Sequence, residues 1–270
     1  MDLWQEKINL RFGSVDRSDR LTLAAAFAFF QEAAISHAAV LGVGRDAMKQ
    51  SGQAWLLSRL SMFMEKRPRY EENILIRSWP RGPEKLFALR DYDIMDASAS
   101  SDNKTSGKAF VRGRSGWLVI DLQKRRPLRV EAVTEKLPLN EGLNALLSGP
   151  VGLGSREELL LFGERQAAYS DIDFYGHVNN VRYVQWIQDM TDPDLLDKAS
   201  QMRFDINYLG ETLPNEKIEL YSCPIENNRE NSSLPEDYPA CPGSAFAYEG
   251  RRTGNNKDQL VFRAELRLGN

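Results

Sequence analysis

The chain has 270 residues, 42% of them hydrophobic and 27% charged, with a formal net charge of -3. That length allows one large domain or two of ordinary size, and the composition is that of a folded globular chain, not a disordered one. The small acidic excess gives no support to bulk nucleic-acid binding.

The N-terminus, MDLWQEKINLRF, carries acids early and has no apolar h-region, so a secretory signal is not expected. A turn with Asp16 follows. Thr22 is a good N-cap for the helix LAAAFAFFQEAAISHAAVLG, which Gly42 ends. This helix is apolar on nearly every face, a pattern that predicts burial on all sides. Its longest apolar run, residues 21–30, is too short to span a bilayer, so no membrane association is expected. After a connection at residues 42–54, Leu60, Met62 and Met64 alternate, as do Ile74 and Ile76, which predicts strands. A hairpin with a polar tip at residues 96–107 leads to AFVRGRSGWLVID.

Residues 132–164 carry Pro and Gly and read as a connector. A second turn, with Asp173, then leads to Asn179, another good N-cap. The helix behind it sets Tyr183, Trp186, Ile187 and Met190 on one face, and Pro193 keeps it short. Phe204, Ile206 and Tyr208 alternate, and so do Ile218 and Leu220. A polar stretch at residues 226–241 reads as an exposed loop. A second polar hairpin tip at residues 249–258 precedes LVFRAELRL.

The chain is written twice. A shift of 157 positions places Asp16 on Asp173, Thr22 on Asn179 and Gln31 on Gln188. A shift of 144 places Arg59 on Arg203, Leu60 on Phe204, Met62 on Ile206 and Pro80 on Pro224. A third match sets Phe87-Ala88 on Phe246-Ala247. Three matches in the same order point to an internal duplication. Each copy reads as a turn with an aspartate, a helix and several long antiparallel strands. A curved sheet wrapping the helix satisfies both element types, an α+β arrangement.

DIDFYGHVNNVRYVQW, with WLLSRLSMFMEKRPRYEENILIRSWP, GRSGWLVIDLQKRRPLRV and INYLGETL, is similar to the motifs of the acyl-acyl-carrier-protein thioesterases of plants and bacteria. The resemblance runs from about Trp4 to the C-terminus. The HVNN element occurs in several hot-dog thioesterases, and the tandem arrangement narrows it to this family. The resemblance implies two tandem hot-dog domains. Residues 1–131 would form an acyl-chain-binding, non-catalytic domain, 132–164 the connector, and 165–270 the catalytic domain. It implies hydrolysis of acyl-carrier-protein thioesters in fatty acid biosynthesis, with no cofactor and no metal. It leaves a homodimer open. The family's aspartate matches Asp173, its histidine His177 and its glutamate Glu211. The family's asparagine meets Tyr175, and the cysteine of the plant enzymes meets Thr212.

Thioester hydrolysis needs an oxyanion partner, a base for water and a proton for the leaving thiolate. The helix behind Asn179 offers N–H groups and a positive dipole end. Glu211 is expected as the base, with Asp173 orienting the site and His177 sharing the proton traffic. Thr212 is expected to orient a water and Tyr175 to donate a hydrogen bond. At the equivalent places the first copy has Arg20, Arg67 and Pro68, so it cannot run this chemistry. It is expected to supply acyl-chain surface, with Trp55, Met62 and Met64 as candidates.

Several residues carry a plainer alternative. Asp173 alone is compatible with a turn former, Asn179 with a simple cap and Glu211 with a solvated turn carboxylate. His37, on the apolar helix, reads as a core histidine. The basic cluster at residues 124–129 (KRRPLR) suits an acidic carrier protein or a solvated loop. Cys223 and Cys241 have no ligand spacing and read as free thiols in a reducing cytoplasm. An acyl-CoA thioesterase of the same fold and a non-catalytic acyl-binding protein remain the alternatives.

Overall fold

The computed structural model describes residues 2–98, 109–135, 137–226, 241–253 and 259–269. In the first half, five long strands run as β1 (Trp4–Asn9), β2 (Gln53–Met64), β3 (Asn73–Glu84), β4 (Phe87–Asp96) and β5 (Val111–Asp121). A short β6 (Arg126–Leu128) flanks β5. In the second half come β7 (Leu160–Gln166), β8 (Gln201–Tyr208), β9 (Lys217–Pro224), β10 (Gly243–Arg252) and β11 (Gln259–Gly269). The helices are α1 (Leu23–Val40), α2 (Arg45–Gln50), α3 (Glu131–Thr134), α4 (Asn180–Met190) and α5 (Pro193–Lys198).

All these strands join one antiparallel sheet in the order β1-β3-β4-β5-β2-β8-β11-β10-β9-β7. Read from the middle outwards, the second half repeats the first. The two copies therefore share a seam, β2 against β8, where Ser61 lies opposite Asp205. Those two residues are 144 positions apart, the same shift that relates the copies, so a pseudo-two-fold axis passes between them. Each copy is a curved sheet packed against its own helix, and the architecture is the tandem hot-dog.

The register corrects one expectation. Pro80 pairs with Arg90 and Pro224 with Phe246. Since Pro80 and Pro224 are equivalent, so are Arg90 and Phe246. Likewise Tyr92, opposite Ser78, corresponds to Tyr248, opposite Ser222. The match of Phe87-Ala88 to Phe246-Ala247 is therefore out of register by three residues. Two aromatic-alanine pairs had coincided without sharing a rung.

Helix α1 begins where Thr22 accepts the Ala25 N–H and ends in a Schellman turn. In that turn Val43 N–H reaches the Ala38 carbonyl and Gly42 N–H the Ala39 carbonyl, with Gly42 at a φ of 73°. Leu23, Ala26, Phe27, Phe30, Ala33 and His37 face the sheet and are buried. The opposite side is not buried: Val40 is 57% exposed and Ile35 42%. The sheet covers one flank of the helix, and alanines fill much of the rest. Among the described residues α1 alone is long and apolar enough to cross a membrane, and its place against the sheet accounts for that composition. Helix α4 presents Tyr183, Trp186, Ile187 and Met190 to the core as its spacing predicts. Each such side chain contributes about 1.5–3 kcal/mol by leaving water.

The two helices lie side by side and exchange contacts. Gln188 of α4 accepts the Ala24 N–H at the start of α1 (2.6 Å), and Gln31 of α1 donates to Asn179 at the start of α4 (3.4 Å). Leu60, Met62 and Met64 of the first copy join Phe204, Ile206 and Leu266 of the second in one core.

Strand alternation puts a second set of side chains on the outer face, and many of these are charged. Arg77 pairs with Asp93, and Arg114 with Asp91 (2.6 and 2.8 Å), all buried. Asp205 accepts from Ser61 and from Arg203 (3.1 Å). They are buried because the irregular chain between α3 and β7 is strapped across them. Ala145 N–H binds Asp91 (2.9 Å), Val151 N–H binds Ser61 (3.0 Å), and Asn207 exchanges two bonds of 2.8 Å with Leu153 and Val151. Both cysteines are free and buried. The hairpins β4–β5 and β10–β11 form as expected. The core of the tip at residues 96–107, much of that at 249–258 and nearly all of the loop at 226–241 lie outside the described residues.

Because Asp205 sits on the axis with Arg203 and Ser61 depending on it, Asp205→Ala is expected to cost about 3–5 kcal/mol. Urea titration followed by fluorescence should show one shifted transition for both halves. A loss below about 1 kcal/mol would show that the seam does not depend on this carboxylate.

Candidate active site

The two aspartate turns share most of their hydrogen bonds. Asp173 N–H reaches the His177 carbonyl (2.8 Å), as Asp16 N–H reaches that of Arg20 (2.9 Å). The Asp173 carboxylate accepts Tyr175 N–H (2.8 Å), as Asp16 accepts Ser18 N–H (2.9 Å). Val178 N–H binds the Thr212 carbonyl (2.9 Å), as Leu21 N–H binds that of Pro68 (2.8 Å). Even the left-handed residue recurs, Gly176 at a φ of 84° and Asp19 at 63°. The backbone is the same device twice, and only the side chains hung on it differ.

In the first turn, Arg67 is buried and ion-paired with Asp16. It also donates to the carbonyls of Leu21 (3.1 Å) and Leu196 (3.0 Å). Burial lowers its pKa, and Asp16 opposes that shift. This turn is latched shut. In the second turn the equivalent position is Glu211, which faces His177 Nε2 at 3.4 Å instead of closing on Asp173. Both side chains remain open to solvent, His177 at 34% and Glu211 at 44%. A carboxylate at that nitrogen favours the tautomer with the proton on Nε2.

Helix α4 starts three residues after His177, at Asn180. Asn179 caps it by accepting Val181 N–H (3.0 Å), which leaves the Asn180 N–H without a partner among the described residues. An unpartnered N–H at the positive end of a helix can bind developing negative charge. The Asn180 carbonyl accepts from the Tyr208 hydroxyl (3.0 Å), which ties this helix start to the sheet.

Tyr175 is half exposed and its ring lies 4.3 Å from that of Phe174. Partial burial raises its hydroxyl pKa and Arg45 opposes the shift, so at neutral pH the group is a neutral donor. Thr212 is fully buried, and its hydroxyl has no hydrogen-bond partner among the described residues. It lies near the Tyr183 hydroxyl, which is also buried and outside bonding geometry. Burial pushes Tyr183 up to about 12, with Thr212 opposing.

The turn and the segment after β8 thus gather Asp173, Tyr175, His177, Asn179, Glu211 and Thr212. The other three candidates stand in the first half. Trp55 donates its indole N–H to the Val43 carbonyl (2.8 Å) within a small cluster that includes Met48 and Val119. Met62 and Met64 are wholly buried in the main core. A groove of about 650 Å3, lined by Lys7, Lys66, Glu72 and Asp96 among others, shares no residue with the site.

Two first-half residues reach the site without having been singled out as site residues. Arg125, in the turn between β5 and β6, lies 3.8 Å from Glu211. Arg45, at the start of α2, lies over the Phe174 ring at 4.9 Å. Their signals in the sequence were the basic cluster at residues 124–129 and the longer connection at residues 42–54. Neither says which turn it will meet in space.

A family model for the acyl-ACP thioesterase N-terminal domain matches residues 1–136, and one for the C-terminal domain matches residues 158–240. A chloroplastic palmitoyl-acyl carrier protein thioesterase from Gossypium hirsutum is 21% identical over 249 residues, 85% of this chain and 57% of its own length. Oleoyl-acyl carrier protein thioesterase 1 from Arabidopsis thaliana is 20% identical over 94% of this chain and 73% of its own. The chain spans about half the length of the first curated relatives it matches. Among solved structures, an acyl-ACP thioesterase from Bacteroides thetaiotaomicron superposes with a TM-score of 0.75 at 22% identity, covering 98% and 97% of the two chains. The 12:0-ACP thioesterase from Umbellularia californica gives 0.76 at 17% identity, covering 98% and 96%. At these identities the two structures speak for the fold.

The latched turn gives a direct expectation. Arg67→Ala strands Asp16 beside two freed carbonyls and should cost about 3–5 kcal/mol. Arg67→Met combined with Asp16→Asn removes both charges and should recover most of that loss. Equal losses in the single and double variants, measured by denaturant titration, would contradict the latch.

Proposed function

The chain belongs to the acyl-ACP thioesterase family, and on that premise we propose that it hydrolyses the thioester of an acyl chain carried on acyl carrier protein. The products are the free fatty acid and the carrier thiol. One observation carries the reading. Of two turns with the same backbone, only the second holds a histidine facing a carboxylate, at 3.4 Å, beside a helix start whose first N–H has no partner among the described residues.

Glu211 takes a proton from water as the water oxygen adds to the thioester carbonyl. The oxyanion so formed is met by the Asn180 N–H and the positive end of α4. The carbonyl re-forms, the carbon–sulfur bond breaks, and the thiolate leaves. His177, in contact with Glu211, passes the proton to that thiolate, which restores both groups. Asp173 acts on the shape of the turn, since one carboxylate oxygen is engaged by Tyr175 N–H. Tyr175 is neutral and open to solvent, which suits a donor to substrate. The buried Thr212 hydroxyl has no base beside it and is far weaker as a nucleophile than a thiolate, so a water mechanism is preferred to an acyl-enzyme.

The basic turn supports the choice of carrier. Lys124, Arg125, Arg126 and Arg129 are exposed, and Arg125 borders Glu211. A carrier protein with acidic residues around its prosthetic arm would meet positive charge at the mouth of the site.

Glu211→Gln and His177→Ala are each expected to lower kcat by about 10²-fold or more with folding intact. Thr212→Ala should lose only about tenfold, the scale of one hydrogen bond. The assay is steady-state hydrolysis of matched acyl-carrier-protein and acyl-CoA thioesters. Near-normal turnover in Glu211→Gln would remove the base, and an acyl ester trapped on Thr212 would replace the water mechanism. Equal kcat/KM on both thioester types would favour a CoA thioesterase, and binding without turnover an acyl-binding protein.

A further inference from the structure

Six arginines are buried among the described residues. Arg67, Arg77, Arg114, Arg203 and Arg267 each have a carboxylate within ion-pair distance. Arg90, 7% exposed, has none among the described residues. Its Nη1 donates to Ser78 Oγ (3.0 Å) and to His37 Nδ1 (3.1 Å). A guanidinium only donates, so that histidine nitrogen must be the acceptor. Burial lowers the pKa of Arg90, and Tyr92 opposes that shift. An uncompensated buried charge is expensive to keep.

The indole N–H of Trp4 is buried and has no partner among the described residues, and its ring lies 6.4 Å from that of His37. Trp4 pairs with Ser78 across β1 and β3, so Trp4, Ser78 and Arg90 come from three adjacent strands under α1. The fold does not require this polarity. At the place of Arg90 the second half has Phe246, and at the place of Ser115, which pairs with Arg90, it has Leu266. The same backbone is filled with hydrocarbon there.

The cluster is also near the site. Helix α1 touches the start of α4 through Gln31 and Asn179. His37 is six residues further, about 9 Å along the axis. An acyl chain held with its thioester at the start of α4 and laid along α1 would bring its far end towards Arg90.

We propose that Arg90, with the Trp4 indole N–H and Ser78, receives a carboxylate. It would be carried either at the far end of an acyl chain bound for hydrolysis or by a small free acid. The first source rests on the thioesterase reading, and the second does not. A carboxylate would accept from Arg90 and Trp4 together and bring to Arg90 a negative charge that no described side chain places within ion-pair distance.

The test compares wild type with Arg90→Met, Arg90→Lys and Trp4→Phe. Substrates are thioesters of ω-carboxylated and methyl-terminated chains matched in length, over a length series. Wild type should favour the carboxylated chain at one length, by kcat/KM. Arg90→Met should lower that preference about tenfold or more, the worth of a charge-assisted hydrogen bond. Arg90→Lys should restore part of it, and Trp4→Phe, which keeps the ring, should lower it several-fold. In parallel, the melting temperature is followed with acetate, a free dicarboxylic acid or the matched monocarboxylic acid. A rise with acetate in wild type but not in Arg90→Met, with no length-dependent preference, assigns the site to a small acid. If wild type hydrolyses no thioester, the proposed function fails, and a dicarboxylic-acid shift that depends on Arg90 still decides this site. Folded variants with wild-type preference and no acid-dependent shift would overturn the proposal.

Discussion

The pairing of β2 with β8 is the constraint on which the rest of this molecule depends. A half-sheet of five strands has two raw edges, and at one of them unpaired N–H and C=O groups would invite foreign strands. Here each copy closes that edge against the other, in antiparallel register, about an axis between Ser61 and Asp205. That register brings the two helices side by side, because each packs on its own half of a continuous surface. It also puts charged side chains in the middle of the outer face, where no helix covers them. The strap between α3 and β7 follows from this. Its backbone N–H groups at Ala145, Val151 and Leu153 meet the carboxylate, hydroxyl and amide oxygens that the outer face would otherwise leave exposed.

Much of this plan is legible in the chain itself. The caps Thr22 and Asn179, the Gly42 stop and the alternating apolar runs are local signals, and each is read by a short-range rule. The shifts of 157 and 144 are confirmed by hydrogen bonds that recur at the shifted positions. What could not be read depends on contacts distant in sequence. The Phe87-Ala88 match failed because a short identity cannot fix a rung, whereas strand pairing can. Helix α1 looked buried all round because alanine has the same hydropathy on an open flank as on a packed one. Arg77, Asp91, Asp93 and Arg114 look like solvated charges in the text of the chain, since their partners lie on neighbouring strands.

The site divides in the same way. Asp173, His177 and Asn179 lie within seven residues, so the sequence already sets them around one turn. Glu211 joins them through the bond from Val178 N–H to the Thr212 carbonyl, a link visible in the text only by analogy with the other copy. Arg125 and Arg45 come from the other half, and no spacing rule reaches them. The duplication is thus both the plainest signal and the source of what is hidden. It repeats the frame, while function depends on the few side chains that differ.

The latched turn has a consequence for direction. A scaffold with a two-fold axis is indifferent to polarity: an elongated guest could lie along the shared helices head-first or tail-first, and the two halves would meet it identically. A thioester has a head and a tail. Arg67, tied to Asp16 and to two carbonyls, is buried in one half, whereas Glu211 at the equivalent place in the other is open to solvent. The duplicated frame thereby acquires a sense, since its two turns offer different chemistry to whatever lies between them.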